Sequence, residues 1–282
     1  MAVHAHPDDE ASSTGGVLAR YAAEGIRTVL VTCTDGSCGD GAGGVKPGEP
    51  GHDPAAVSAM RQVELEASCR ALGVDHLELL GYRDSGMMGW STNDTPGSFW
   101  GMDVAAAAGP LAALMERYQP QVVVTYDADG FYGHPDHIMA HRITMAAVET
   151  TGIPAKVYFP AIPRSALASF TTAMRAAGIE PPGASDREEG QFADPEEVEE
   201  SSGPDIGTDD ELIAARVDVG AYVDRKFAAL GAHASQSDNI FFLRLGDELF
   251  AELFGVESFV RARDRTGAPI PETDLFVGLR SG

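Results

Sequence analysis

The stretch His4-Ala5-His6-Pro7-Asp8-Asp9-Glu10 decides how this chain is read. It follows a short apolar run, Ala2 to Ala5, that suits a strand. It precedes a helical pattern, Ser12 to Glu24, closed by Gly25. Ile26 to Cys33 then has the β-branched, apolar character of a buried strand. A strand that turns into a helix and returns as a strand is a βαβ unit. Its crossover is right-handed and its strands are parallel.

Working outward, the same alternation continues. A long loop runs from Thr34 to His52, and Asp53-Pro54 then has the form of an N-cap and first helical residue. The helix it opens is expected to carry Val57, Met60, Val63, Ala67 and Leu72 toward the core and to end at Gly73. His76 to Gly81 is the third strand, and Arg83 to Gly97 a second Gly-rich loop. A helix is expected from Pro110 to Tyr118, with the proline near its start. Gln121 to Tyr126, Asp136 to Thr150 and Ala155 to Ala161 read as strand, helix and strand. Further on come a helix at Ala221 to His233, a strand at Ile240 to Leu245, a helix at Glu248 to Phe254 and a strand at Glu257 to Arg263. The expected fold is α/β: a Rossmann-like, mostly parallel sheet with helices on both faces and a smaller C-terminal extension packed on it. In residues, that is a core of 1–180, an acidic loop of 181–211 and the extension of 212–282.

Composition narrows the function. The chain has 282 residues, 44% hydrophobic and 22% charged, as an ordinary globular protein has. Its formal charge is −23, a surface that repels phosphate backbones and anionic membranes and so argues against nucleic acid or membrane partners. No run approaches the roughly 18 apolar residues of a membrane span. The first ten residues lack a basic and an apolar region, so the expected location is the cytoplasm. Acidic residues crowd Pro181 to Glu211, opposed only by Arg187, which reads as a solvated loop. Three cysteines without Cys-x-x-Cys spacing form neither a disulfide framework nor a thiolate metal site. Cys33 and Cys69 read as core, and Cys38 as a non-catalytic loop residue.

Two clusters carry chemistry. The first is the His4–Glu10 run, at the carboxyl end of the first strand, where open α/β sheets bind ligands. The second, Tyr132-Gly133-His134-Pro135-Asp136-His137, follows the fourth strand and opens a helix in the same way. In a sheet ordered 3-2-1-4-5 the first and fourth strands are neighbours, so both clusters meet at the switch point. An aspartate before a helix is ordinarily a cap. Two turns that each hold a His-Pro-Asp run plus a further histidine or aspartate exceed what capping needs. His6, Asp9 and His137 are the expected metal ligands, an imidazole and carboxylate set that suits zinc and also Fe(II), Co(II) or Mn(II). Asp8, if not itself a ligand, can take the water's proton as general base. His134 is placed to stabilise a tetrahedral intermediate, with Asp136 orienting it and favouring its imidazolium, and Tyr132 to reach an oxyanion.

Other candidates are weaker. Gly39-x-Gly41-x-x-Gly44 matches a dinucleotide fingerprint but runs into Val45-Lys46-Pro47-Gly48, which opens no helix. His52, His76 and His141 have no partner cluster and read as structural or exposed. The run His233-Ala234-Ser235-Gln236 stays open between a helix end and a site element.

The pattern resembles the PIG-L/LmbE-like deacetylase family, closest to its mycothiol-pathway branch. The resemblance rests on His6 to Glu10 and His134 to His137. It extends through Arg61-x-x-Glu64, Arg83-Asp84-Ser85-Gly86-Met87, Thr125-Tyr126-Asp127, the His233–Gln236 run and Glu272-Thr273-Asp274-Leu275. One departure is the loop Asp35-Gly36-Ser37-Cys38-Gly39-Asp40, where that branch carries a Gly-Glu-containing loop. The resemblance implies a zinc site, the ligand and base roles given above, and contacts from Arg61 and Asp84 to sugar or inositol hydroxyls. It implies hydrolysis of an N-acetyl group on a small amino-sugar glycoside. Rival readings are an amidase acting on thiol conjugates of such a glycoside, an antibiotic-pathway deacylase, and a metal-binding paralogue without catalysis.

Overall fold

The computed structural model describes residues 1–176, 205–237 and 242–280. Its centre is a sheet built from β1 (Ala2–His4), β2 (Val29–Thr34), β3 (His76–Tyr82), β4 (Val122–Val124) and β5 (Lys156–Pro163). Their order in space is β3-β2-β1-β4-β5, all neighbours parallel. The order reverses between β1 and β4, which sets the two turns that follow those strands side by side.

The period-two alternation of the strands assigns their faces. Val3, Val31 and Val123 point to one side, under α4 (Val104–Tyr118) and α6 (Pro135–Thr151), where Leu111, Met115, Ile143 and Ala147 are fully buried. Ala2 and Leu30 point to the other. There they meet α2 (Gly15–Ala23), α3 (Pro54–Leu72) and α8 (Val223–Ala232) through Leu18, Leu65, Leu72 and Leu230.

The C-terminal part completes the sheet. β8 (Val256–Asp264) pairs antiparallel with β5, and β7 (Ala215–Asp218) pairs antiparallel with β8. A two-residue β6 (Gly207–Thr208) lies along β5. Further helices among the described residues are α1 (Asp9–Ser13), α5 (Gly130–Gly133), α7 (Arg164–Ala176) and α9 (Asp247–Phe254). Two buried ion pairs, one of them reaching across from the core, anchor this part. Lys156 Nζ lies 2.5 Å from Glu272 Oε1, and Lys226 Nζ lies 2.7 Å from Glu257 Oε1. Glu257 also accepts the N–H groups of Gly16 and Val17, both at 2.8 Å, and so caps the start of α2.

Several expectations are corrected. The helix expected over Ser12–Glu24 is two, α1 and α2, parted at Thr14. There the Thr14 hydroxyl is 2.8 Å from His4 Nε2, and its φ of −138° leaves the helical range. The helix placed at Pro110 starts at Val104, because Asp103 caps it by accepting the Ala106 N–H at 3.0 Å and an alanine run propagates it. Pro110 therefore lies inside the helix. On α3, Val63 is 64% exposed. The buried stripe runs instead through Val57, Arg61, Leu65, Cys69 and Leu72. The strand expected at Ile240–Leu245 is not one: Phe242 and Leu243 are helical and Arg244 and Leu245 form a turn, while 240 and 241 lie outside the described residues. Helix α7 and strands β6 and β7 were not expected. Of the acidic segment, 181–204 lies outside the described residues, and in 205–211 Asp205 and Asp209 pair with Arg164. None of the described helices is long and apolar enough to cross a membrane.

Candidate active site

The turn after β1 is built around a strained aspartate. Asp8 has φ 116°, a backbone region that side chains other than glycine rarely take. Neighbouring elements hold it there. The Asp8 N–H donates to Glu10 Oε2 at 2.9 Å. Buried Glu10 accepts on its other oxygen from the Ser68 hydroxyl at 2.5 Å and from His233 Nε2 at 2.7 Å. Arg61, on α3, donates to the carbonyls of Pro7 at 2.5 Å and Gly36 at 2.8 Å and lies 3.1 Å from Asp8 Oδ2.

The turn after β4 is strained in the same way. Phe131 has φ 66° and ψ −61°, the values of a γ-turn. His134 caps α6, its Nδ1 accepting the Asp136 N–H at 3.1 Å. A neutral His134 therefore carries its proton on Nε2. His137 Nδ1 faces the Gly130 carbonyl at 3.2 Å and must donate to it, so the Nε2 lone pair is left open.

The two turns meet. Ring centroids of His6 and His134 are 4.5 Å apart, those of His134 and His137 4.8 Å, and those of His6 and His137 5.3 Å. Asp9 lies between the histidines. Its Oδ2 is 3.3 Å from His6 Nδ1, and its Oδ1 is 3.5 Å from His137 Nε2. On its far side His6 Nε2 is 3.3 Å from Asp136 Oδ2 and 3.7 Å from Asp84 Oδ1. Two sets of buried donors, His6-His134-His137 and His6-Asp84-Asp136, each have their ligand atoms within 4.8 Å of one another.

These residues suit a cation. His137 Nε2 is buried and has no hydrogen-bond partner, and the atom facing it is a carboxylate oxygen. Two lone-pair atoms turned toward each other are balanced by a positive charge between them. The Gly130 carbonyl fixes the His137 tautomer from behind, as outer partners of metal-bound histidines do. Tyr126 does the same for Asp9, donating its hydroxyl to Oδ2 at 2.6 Å while accepting the Ala5 N–H at 2.9 Å.

The charges follow from packing. Burial pushes the Asp8 carboxyl up to about 6, against the pull of Arg61. Burial would raise Asp9 too, but His137 and His6 outweigh it and hold it well below the carboxylate range. Burial would lower His6, yet Asp84, Asp136 and Asp9 together raise it. Burial, with His6 and His137 beside it, lowers His134 to about 2.

Each expected site residue can now be placed. His6, Asp8, Asp9, His134, Asp136 and His137 converge. The Tyr132 ring stands 5.1 Å from that of His137 and 6.0 Å from that of His134. One expected role changes. It is the main-chain N–H of Asp136 that orients His134, while its carboxylate faces His6 and accepts the Ser85 N–H at 2.8 Å. His134 is accordingly held neutral, contrary to the expected imidazolium. Arg61 and Asp84 are 4% and 3% exposed, and their polar heads are engaged by protein. Burial and the adjacent Asp84 push the Cys38 thiol up to about 12, so it is no ready nucleophile.

Sequence reasoning gave no separate role to Tyr126, Glu10 and Ser68, which support the two turns. Tyr126 stands at the end of an apolar run, and its place beside the fourth-strand turn and in the Thr125-Tyr126-Asp127 run was its signal. The open His233–Gln236 run is a brace. His233 holds Glu10, Ser235 donates its N–H and hydroxyl to Glu64 at 2.9 and 2.7 Å, and Gln236 Oε1 accepts the Asp40 N–H at 3.1 Å. His52 bonds the Gly39 carbonyl, His141 bonds the Tyr126 carbonyl, and the His76 ring rests against Tyr118, all three outside the cluster.

A family model described as PIG-L, GlcNAc-PI de-N-acetylase, matches residues 1–148, a span that contains both turns. The chain belongs to the PIG-L family. Within that family it is similar to a protein of Acidothermus cellulolyticus named 1D-myo-inositol 2-acetamido-2-deoxy-alpha-D-glucopyranoside deacetylase. The two are 42% identical over 291 residues, 99% of this chain and 94% of the relative. A Thermobifida fusca protein of the same name is 41% identical, over 98% of each chain. Among solved structures, the N,N'-diacetylchitobiose deacetylase of Pyrococcus horikoshii superposes with a TM-score of 0.54 at 20% identity, covering 92% of this chain and 82% of its own. A 4-carboxy-2-hydroxymuconate hydratase from Pseudomonas putida superposes with 0.57 at 19% identity, over 95% and 98%. That a hydratase shares the fold with a deacetylase means that the PIG-L architecture does not select the reaction; the site residues must.

Proposed function

We propose that this chain removes the N-acetyl group from an amino-sugar glycoside by hydrolysis, releasing the free amine and acetate, with a divalent metal ion that we take to be zinc. The observation that carries the reading is the open pair His137 Nε2 and Asp9 Oδ1, flanked by a buried carboxylate, Asp8, and a neutral imidazole, His134. The names of the PIG-L relatives support the substrate class.

In this reading His6, Asp9 and His137 hold the metal. When bound, such an ion polarises the amide carbonyl and acidifies a water molecule. Asp8 takes the proton of the attacking water. Its place beside Arg61 orients the carboxylate, and burial keeps its basicity near neutral pH. His134 presents its Nε2–H as a hydrogen bond to the oxyanion, where Tyr132 assists, and the proton taken by Asp8 passes to the departing nitrogen as the C–N bond breaks. Asp136 sets His134 through its main-chain N–H and His6 through its carboxylate. Arg61 and Asp84 act from beneath the site by holding the Pro7 and Gly86 turns in place.

Amine release from a panel of N-acetylglucosaminides, with and without an inositol at the anomeric position, tests the reaction. We expect release in the presence of zinc. A zinc-loaded protein that frees no amine from any of them overturns the reading.

A further inference from the structure

Beside the histidine cluster lies a cavity of about 380 Å³, in the range of small-ligand pockets. Cys38, Pro47, His52, Arg83, Trp90 and Thr92 are among its walls, and none of the proposed ligands, bases or donors is. It nevertheless abuts the cluster. The Cys38 N–H donates to Asp84 Oδ2 at 3.1 Å, and the other oxygen of that carboxylate is 3.7 Å from His6 Nε2. A substrate whose amide sits at the histidines has this space one side chain away.

Its lining has a definite chemistry. The Trp90 indole is 40% exposed yet fixed in place. It rests on Gly86, whose φ is 67° and where a Cβ would lie 2.5 Å from the indole Cε3. The loop beneath is tied by the Thr92 hydroxyl and the Asn93 amide, both donating to the Ser85 carbonyl at 2.6 Å. Arg83 is exposed and, among the described residues, its guanidinium has no ion-pair or hydrogen-bond partner. Arg20, Arg61, Arg164, Arg216, Arg263 and Arg280 are paired with carboxylates; Arg83, like Arg70 and Arg225, is not, and of those three it is Arg83 that lines the cavity. An ordered aromatic face offers a surface for the C–H side of a saturated ring, and an unpaired guanidinium offers donors to hydroxyls. Both are accessible, whereas Arg61 and Asp84 are buried with their heads in use.

We infer that this cavity is the subsite for the ring attached to the amino sugar, a cyclic polyol or second sugar, with Trp90 as its stacking face and Arg83 as its hydroxyl-binding group. The inference rests on the amino-sugar reading above. It makes these two residues determinants of glycoside over monosaccharide and leaves the chemical step to the histidines and Asp8.

Binding tests it independently of turnover. Calorimetric titration of zinc-loaded protein carrying Asp8→Asn, so that the ligand is not consumed, compares N-acetylglucosaminyl-inositol with free N-acetylglucosamine. We expect this protein, with its cavity intact, to prefer the glycoside by about tenfold or more. Adding Trp90→Ala or Arg83→Ala removes most of that preference and leaves the monosaccharide affinity unchanged, and Trp90→Phe keeps it. Equal affinity for the two ligands with the cavity intact, or an undiminished preference with Trp90→Ala, overturns the inference. Amine release measured on the matching proteins with Asp8 intact reports separately on the reaction. A protein that shows the preference but hydrolyses neither ligand would sink the catalytic reading and leave the subsite standing.

Discussion

The buried charges of the C-terminal part and those at the carboxyl edge of the sheet differ in how many of their polar atoms are paired. Around Glu257, one carboxylate receives the Gly16 and Val17 N–H groups and the Lys226 ammonium. Around Glu272, another receives Lys156, the Tyr158 hydroxyl and Arg261. Nothing in either group is left over. At the carboxyl edge of the sheet the charges are as numerous, but His137 Nε2, Asp136 Oδ1, Arg61 Nε and His233 Nδ1 are buried there without a hydrogen bond. An unpaired buried polar atom costs about 1–3 kcal/mol, so a cluster of them persists where something outside the chain completes it. The paired clusters hold the C-terminal part to the core. The unpaired one is the candidate site.

Breaking that contrast begins with the metal. Stripping the protein with a chelator should abolish amide hydrolysis, zinc should restore it, and metal analysis of the active protein should find about one ion per chain. Full activity in metal-free protein would leave the open histidine nitrogen unexplained. Next in size is Asp8→Asn, which should keep the metal and lower turnover by about 10²–10⁴-fold. Near-normal rates would take Asp8 out of the proton-transfer role.

The paired side is tested by Glu257→Ala. It leaves the Lys226 ammonium buried and uncaps α2, and urea unfolding should show a loss of about 3–5 kcal/mol. The metal content of the protein that remains folded should be unchanged. A metal loss that tracks the stability loss would join the two regions into one unit and erase the distinction between them. The smallest effect is expected on α3. Val63→Lys should shift stability by less than about 0.5 kcal/mol, because that side chain faces solvent. A loss as large as that of a core substitution would restore the helix face first expected from the sequence.

That face shows why parts of the fold were hard to read. The α3 stripe includes Arg61, a charged residue that no hydrophobic pattern counts as inward. It is buried because the carbonyls of Pro7 and Gly36 and the carboxylate of Asp8 surround it, and those come from distant turns. The break at Thr14 likewise depends on His4, ten residues earlier, and on a ring that faces across the turn. Strand β7 has only four residues and β6 two, too short for alternation to stand out from chance. By contrast the Asp53-Pro54 start and the Gly73 end of α3 were legible, since a cap acts within a few residues of itself.

The sequence by itself determined the alternation of strands and helices, the turns that end β1 and β4, and the donor atoms those turns carry. Such features depend on residues close together in the chain. Only the tertiary structure decided that His134 is oriented by a main-chain N–H and kept neutral, that Arg61 and Asp84 are engaged inward, and that the His233–Gln236 run braces the Asp8 turn. Those outcomes depend on which partners lie within hydrogen-bond reach and how much water is excluded. The packing of β1 between β2 and β4, and of α3 against α8, sets both.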